Sequence, residues 1–223
     1  MADRTNIAAE PTSLADLRGL GGGSYIEMTA EEIAAISEVM LEAVVIDVKK
    51  SRLNTADGLF PTGAEIKANG FGPLVVLTDV EVRVVRAFGA VPTGFDFSPG
   101  ETITVTVGGG MYRTVLDADQ IEAIGLATGA DTGLEGGTPT EPGSEFAWGS
   151  SPDEDLSEGD TVMILLVRQE IPGFAGSPPL QVFSPTHPFG VFHRNDTGQW
   201  VDPRGRAVDT EKLPDLLGRS ATG

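Results

Sequence analysis

The sequence predicts a mainly-β fold, and three observations support this prediction. Residues 75–88 begin as an apolar segment that turns into alternation of apolar and polar side chains, and residues 101–107 alternate more regularly, as strands with one buried face do. Residues 161–168 form a continuous apolar run, which is typical of a strand buried on both faces. The chain also carries 29 glycines and 15 prolines among its 223 residues, which favours turns and short strands over long helices.

The N-terminal part predicts a tail, a helix and a strand in succession. Residues 1–28 are polar and glycine-rich, which predicts a flexible tail. A helix is predicted over 30–40, because Thr29 and Glu32 form a capping-box pattern and apolar residues then recur at helical spacing. The β-branched run that follows predicts a buried strand over 42–48.

The two central strands have the clearest pattern in the chain. In the first, valines occupy every second position from Val80 to Val84. In the second, threonines alternate with Ile or Val from Thr102 to Val107, so one face is predicted to be core and the other wet. The Pro-Gly pair at 99–100 fits the central positions of a type II turn just before the second strand.

The remaining segments define the predicted domain organisation. Glycine and proline are concentrated in 54–73 and 125–152, which are predicted to be long inserted loops. Short closing strands are predicted after residue 180, and the C-terminal LPDLLGR segment predicts a short surface helix. The predicted parts are a flexible tail at 1–28, a single β-barrel domain at 29–202 and a C-terminal extension at 203–223.

The formal net charge of −18 limits the classes of partner. An acidic surface repels phosphate backbones and anionic lipid, so nucleic-acid binding through a basic face and docking on such membranes are both disfavoured. Cations or basic proteins are the natural attraction, and the same acidity also keeps a protein soluble.

The chain contains no cysteine, which excludes disulfides, a thiolate nucleophile and a zinc ribbon. The N-terminus has no apolar leader segment, and no run of about eighteen apolar residues occurs. We therefore expect a soluble chain, either an exported mature domain without its leader or a cytoplasmic or virion protein.

An acidic stretch before the 161–168 run is a candidate calcium site. Its candidate ligands are Asp153, Asp155, Glu158 and Asp160. Hard cations need several oxygens that converge from one loop, but this stretch lacks the glycine and distal glutamate of an EF-hand. A second acidic group, formed by Asp117, Asp119 and Glu122, has the same weakness. A solvated turn is the alternative interpretation of both.

The two histidines of the chain, His187 and His193, are six residues apart. An even spacing on one strand would place both on one face, where a carboxylate such as Asp196 could complete a metal site. Gly190 and the turn at 185–188 interrupt that regularity, so structural polar residues beside a hairpin are the alternative interpretation.

No catalytic motif is convincing in its sequence context. Asp131-Thr132-Gly133 spells the aspartic-protease triplet, but it lies in a loop-like stretch and not at the end of an apolar strand. The glycines at 108–110 lack the Lys-Ser/Thr that would follow in a phosphate loop. We predict no catalytic residue and no cofactor, apart from the calcium hypothesis above.

Four short motifs carry a resemblance to a known group of proteins. They are Thr78-Asp79-Val80, Ser98-Pro99-Gly100-Glu101-Thr102, Gly108-Gly109 and Glu158-Gly159-Asp160. With these motifs, residues 29–202 resemble uncharacterised, often exported bacterial modules of high-GC genomes, which are taken to be small β-barrels of the OB type. The resemblance implies an OB-like Greek-key barrel of about five to seven strands, with one N-terminal helix and long Gly/Pro-rich loops. It implies no activity.

Three classes of function remain open at this point. The first is a non-catalytic binding or structural module that acts through protein–protein contacts. The second is a structural component of a phage virion or another multi-subunit assembly. The third is a metal-dependent or hydrolytic enzyme whose site is built from loops.

Overall fold

A computed structural model of the chain describes residues 28–70, 74–90, 95–128, 142–143, 145–150 and 156–219.

These residues form three α-helices and ten strands, so the mainly-β prediction is confirmed. The helices are α1 (Ala30–Ile36), α2 (Gly63–Asn69) and α3 (Ala118–Thr128). The strands are β1 (Val39–Val48), β2 (Arg52–Leu53), β3 (Val76–Gly89), β4 (Thr102–Gly108), β5 (Gly110–Val115), β6 (Glu145–Ser150), β7 (Thr161–Ile171), β8 (Leu180–Pro185), β9 (Val191–Arg194) and β10 (Trp200–Val201). Three short 3₁₀ turns follow β7, β8 and β10 at Phe174–Gly176, Pro188–Gly190 and Leu213–Leu216.

Eight strands form one antiparallel sheet around β1. Its main path runs β10-β9-β7-β1-β3-β2, with β4 paired to β3 and β8 paired to β7. β5 and β6 form a separate two-stranded antiparallel sheet. The two central strands pair with each other, since Thr78 lies opposite Val107 and Arg83 opposite Thr102.

β1, β3, β4, β7 and β8 surround the central core, but their ladders do not close. β4 and β8 lie against each other, and no backbone hydrogen bond joins them within the described residues. The hydrogen-bonded strands are therefore not a closed barrel.

Apolar side chains form three buried clusters on and beside the sheet. The central cluster lies on the inner face and includes Val39, Leu41, Val82, Val105, Ile164 and Phe183. A helical cluster joins α2, α3 and the β5–β6 sheet through residues such as Ile66, Tyr112, Ile124 and Phe146. An outer cluster packs α1 and the C-terminal segment on the other face of the sheet, through Ile33, Met40, Leu165, Phe192 and Leu213.

The predicted helix 30–40 is too long at its C-terminal end. The capping box of Thr29 and Glu32 begins α1 as expected, but the helix ends at Ile36 and β1 begins at Val39. Val39 and Met40 are both fully buried, on opposite faces of the sheet. Pairing of β1 with β3 and β7 therefore overrides the helical spacing of the apolar residues.

The two predicted loops contain regular structure, and the expectation of one helix is wrong. Residues 54–73 contain α2, which begins with a second capping box formed by Thr62 and Glu65. Residues 125–152 contain the end of α3 and the strand β6. Prolines and glycines around these elements concealed them, and pairing of β6 with β5 supplies the backbone partners that its sequence does not predict.

The C-terminal extension is part of the folded body, and its predicted surface helix is only a 3₁₀ turn. Leu213 is fully buried in the outer cluster, and Gly218 N donates a hydrogen bond to Ser37 O beyond the end of α1. The segment therefore covers a sheet face that would otherwise expose Met40 and Leu165 to water.

Candidate functional site

Only two of the acidic candidates before β7 fall in the described residues, because Asp153 and Asp155 lie outside them. The Asp160 side chain accepts a 2.8 Å hydrogen bond from Ser157 N, while Glu158 is exposed. Backbone bonds from Gly159 N to Val45 O and from Val45 N to Asp160 O attach this turn to β1. The described part of the acidic stretch therefore positions the start of β7.

The two histidines occupy different structural positions. His187 is the N-cap of the Pro188–Gly190 turn, where its Nδ1 accepts a hydrogen bond from Phe189 N at 3.2 Å. His193 lies in β9, opposite Val162 of β7 and Val201 of β10. Across the described ranges, no group of three or more His, Asp and Glu side chains is arranged to hold a metal ion.

Two members of the second acidic group are engaged in holding α3. Asp117 Oδ1 accepts from Gln120 N at 2.8 Å, which caps the first turn of the helix. Glu122 forms a 2.6 Å ion pair with Lys67 of α2, and Asp119 is exposed. The group joins two helices and does not converge on one point.

We expect that metal ions do not stabilise the protein. One oxygen of Asp160 and one of Asp117 accept backbone N–H groups, and no third carboxylate or histidine among the described residues converges on either to supply the several ligands that a cation needs. Thermal unfolding in calcium, in zinc and in chelator should give the same Tm, because a ligand that binds only the folded state would raise it. A rise with calcium or zinc that the chelator reverses would contradict this and restore the metal hypotheses.

The Thr78-Asp79 motif is a structural element that ties β2, β3 and β4 together. Arg52 donates to both carboxylate oxygens of Asp79, and the Thr106 hydroxyl donates to Oδ1. Burial raises the pKa of Asp79, but the hydrogen bonds from Arg52 and Thr106 and the charge of Arg52 outweigh it and lower the pKa below its ordinary value. Beside it, the Thr78 hydroxyl contacts Ser51 Oγ at 2.9 Å and donates to the Gly109 carbonyl.

An aromatic group at the end of the central core is the most unusual surface feature. Phe97 and Phe183 are each 4% exposed and meet edge to face at 5.3 Å between ring centroids. Phe95 packs on the edge of Phe183 at 4.4 Å, yet it is 49% exposed. We call these three residues the aromatic group. The sequence alone does not distinguish the buried Phe97 from the half-exposed Phe95.

Most of the basic side chains in the described residues form ion pairs with carboxylates of the same chain. Ion pairs join Lys49 to Asp47 and Glu81, Arg52 to Asp79, Lys67 to Glu122, Arg86 and Arg194 to Glu42, Arg168 to Glu38, Arg204 and Arg206 to Asp202, and Lys212 to Asp209. Exposed carboxylates outside these pairs include Glu31, Asp96, Glu101, Glu158, Asp196 and Glu211. The excess negative charge therefore lies on the surface.

A shallow groove of about 510 Å³ runs beside β10, between Trp200 and Glu211. Arg194 lies over the Trp200 ring at 4.3 Å, and Asp209 on the groove wall is paired with Lys212. Both charged groups are thus already matched within the chain, and the groove supplies no convergent set of free polar groups.

Comparison with protein-family models, curated proteins and solved structures returned no match to this chain. None of the helices in the described residues is both long enough and apolar enough to cross a membrane.

Proposed function

We propose that this chain is a non-catalytic binding module that contacts a basic protein partner through a surface centred on Phe95. The single observation that carries the proposal is the exposure of Phe95 on top of two buried aromatic rings.

The packing of Phe95 suits a contact residue. Its ring stacks on Phe97 at 6.3 Å and meets Phe183 edge-on, so its position is fixed before a partner arrives. A fixed aromatic side chain loses little conformational entropy on binding, which is one reason why aromatic residues dominate the energetics of protein interfaces.

The charge distribution selects the sign of the partner. Asp96 follows Phe95 directly, and Glu101 lies just before β4; both side chains are exposed. With the net charge of −18, these carboxylates attract a basic surface and repel nucleic acid and anionic lipid. The partner is therefore a protein segment that carries lysine or arginine beside an apolar side chain.

The scaffold of this module is, in the same proposal, an OB-type barrel. The ladders β4-β3-β1-β7-β8 place the strands in an order that supports it, with β4 and β8 in contact at the two ends of the series. We also propose that the chain is related to the exported bacterial modules that it resembles. We propose further that it is a soluble protein, either an exported mature domain or a cytoplasmic or virion protein.

Removal of the Phe95 ring is expected to weaken partner binding about tenfold, as loss of an interface anchor commonly does. The measurement uses an array of synthetic peptides of graded charge, each with one aromatic or aliphatic residue. Wild type should prefer the basic aromatic members, and added salt should weaken the binding.

Leu126→Ala is the matched control for Phe95→Ala. Leu126 lies on α3 and is 69% exposed, so its loss removes a comparable exposed apolar side chain from another surface. Equal binding by Phe95→Ala and wild type, or equal losses in both variants, would reject the Phe95 surface.

Light scattering separates a foreign partner from self-assembly. A monomer at all concentrations supports the binding module. An oligomer that Phe95→Ala dissociates would instead identify the partner as a second copy of the chain, as expected for a virion or other assembly subunit.

A further inference from the structure

Like β4, the strand β8 has a backbone ladder along only one of its edges. It has a ladder with β7 along one edge, from Ile171–Leu180 to Leu166–Pro185. Its other edge lies against β4, where the described residues form no backbone hydrogen bond. At the junction between β4 and β8, which we call the seam, Phe95 and Phe97 from the segment before β4 pack on Phe183 of β8.

Two further features reduce the cost of exposing β8 to water. Ser184 is 6% exposed, and its Oγ has no hydrogen-bond partner among the described residues. Hydration of this hydroxyl on opening would recover a hydrogen bond that the closed state lacks. Pro185, the last residue of β8, has no N–H to give to the ladder.

The ends of the segment are fixed, which limits the movement to β8 itself. On one side, Phe174 is 1% exposed and its N–H donates to Asn54 O at 2.7 Å. On the other side, Thr186 N donates to Leu165 O, and the Thr186 hydroxyl accepts from Ser37 Oγ at 2.7 Å. Residues 177–185 lie between these two anchors.

We propose that residues 177–185 form a movable flap that opens at the seam while the rest of the sheet stays folded. Phe95, Phe97 and Phe183 are its latch. Opening uncovers the free edge of β4 and part of the central core without breaking the ladders of β1 with β3 and β7. This inference goes beyond the proposed function and does not depend on it.

Native-state hydrogen exchange, resolved by residue, tests the flap. The β8 amides that bond to β7 should exchange at least about tenfold faster than the ladder amides of β1, because they need only a local opening. Their exchange should also change little in low urea, since a local opening exposes little surface, whereas β1 exchange should rise with urea. The same protection and the same urea dependence in β8 and β1 would overturn the proposal.

A substitution at Phe95 separates the effect of the latch on β8 from any effect on global stability. Phe95→Ala should accelerate exchange in β8 selectively, because it removes the 4.4 Å contact with Phe183. Val115→Ala is the control, since Val115 is 44% exposed on β5 and takes no part in the seam. Acceleration of all strands to the same extent by Phe95→Ala, or of β8 by Val115→Ala, would remove the latch role. Loss of peptide binding in Phe95→Ala without any change in β8 exchange would reject the latch role of Phe95 and leave the proposed function intact.

Discussion

Asp202→Ala is expected to lower the free energy of unfolding by about 2–4 kcal/mol, because it leaves cationic groups without their counter-charge in a partly buried site. The Asp202 side chain is 5% exposed, and its Oδ2 accepts from Arg204 Nε, Arg204 Nη2 and Arg206 Nε at 2.8–3.1 Å. Its Oδ1 accepts from the backbone N–H groups of Arg204 and Arg206. One carboxylate thus fixes the turn that leads into the C-terminal segment.

The effect should extend beyond this turn. Arg204 also donates to Met28 O and lies over the Phe189 ring at 3.9 Å. Loss of Asp202 therefore loosens the link between the entry to α1, the Pro188–Gly190 turn and the C-terminal segment, all of which border the outer cluster. Urea unfolding at neutral pH, followed by circular dichroism, measures the change.

Asp209→Asn is the control for this carboxylate. Asp209 pairs with Lys212 in the same segment, but both side chains are largely exposed and water screens their charges, so its loss should change the free energy of unfolding little. A cost for Asp202→Ala as small as that for Asp209→Asn would mean that the two-arginine arrangement adds nothing beyond an ordinary surface ion pair.

The sequence predicts a strand well where apolar and polar side chains alternate and the apolar face packs only against other apolar side chains. Val105 and Val107 are buried and Thr102 and Thr104 are exposed, as the alternation requires. Thr106 is the exception, since it lies on the outer face and is still only 3% exposed. Its hydroxyl donates to Asp79 of β3, and a pattern along one strand holds no information on that pairing.

Helix starts are local signals, whereas helix ends here depend on distant residues. The capping boxes at Thr29 and Thr62 each begin a helix, because both partners lie within four residues of each other. The second has the same pattern as the first, but the prolines and glycines around it predict a loop and not a helix. The end of α1 is set by β3 and β7, which pair with β1 from far along the chain.

The metal candidates show why proximity in sequence is a weak guide to a site. Asp160, Asp117 and Glu122 each accept hydrogen bonds from, or pair with, neighbours that a composition-based search does not consider.

Phe95 and Phe97, two residues apart, would share a face on a regular strand, but their backbone is irregular and only Phe97 is buried. The position of the exposed Phe95 ring depends on its contact with Phe183 of β8, which lies far along the chain and cannot be predicted from the residues around Phe95.

Gly63→Ala is expected to destabilise the protein by about 2–3 kcal/mol, because a methyl group does not fit between two packed helices. A Cβ on Gly63 would overlap the Asp119 carbonyl group and lie 2.6 Å from its carbon atom. This backbone cannot move away alone, since Gln120 Nε2 donates to Pro61 O at 2.8 Å and Lys67 pairs with Glu122. The helices α2 and α3 would have to separate and open the helical cluster at Ile66 and Ile124.

Gly125→Ala makes the same chemical change in α3 with the opposite expected sign. No atom lies within 4 Å of a Cβ at Gly125, so the variant should gain about 0.5–1 kcal/mol from the better helix propensity of alanine. Urea unfolding of the two variants measures both signs in one comparison. If Gly63→Ala also stabilised the protein, the close approach of α2 to α3 at Gly63 would be contradicted. The packing of the helical cluster would then not depend on that approach.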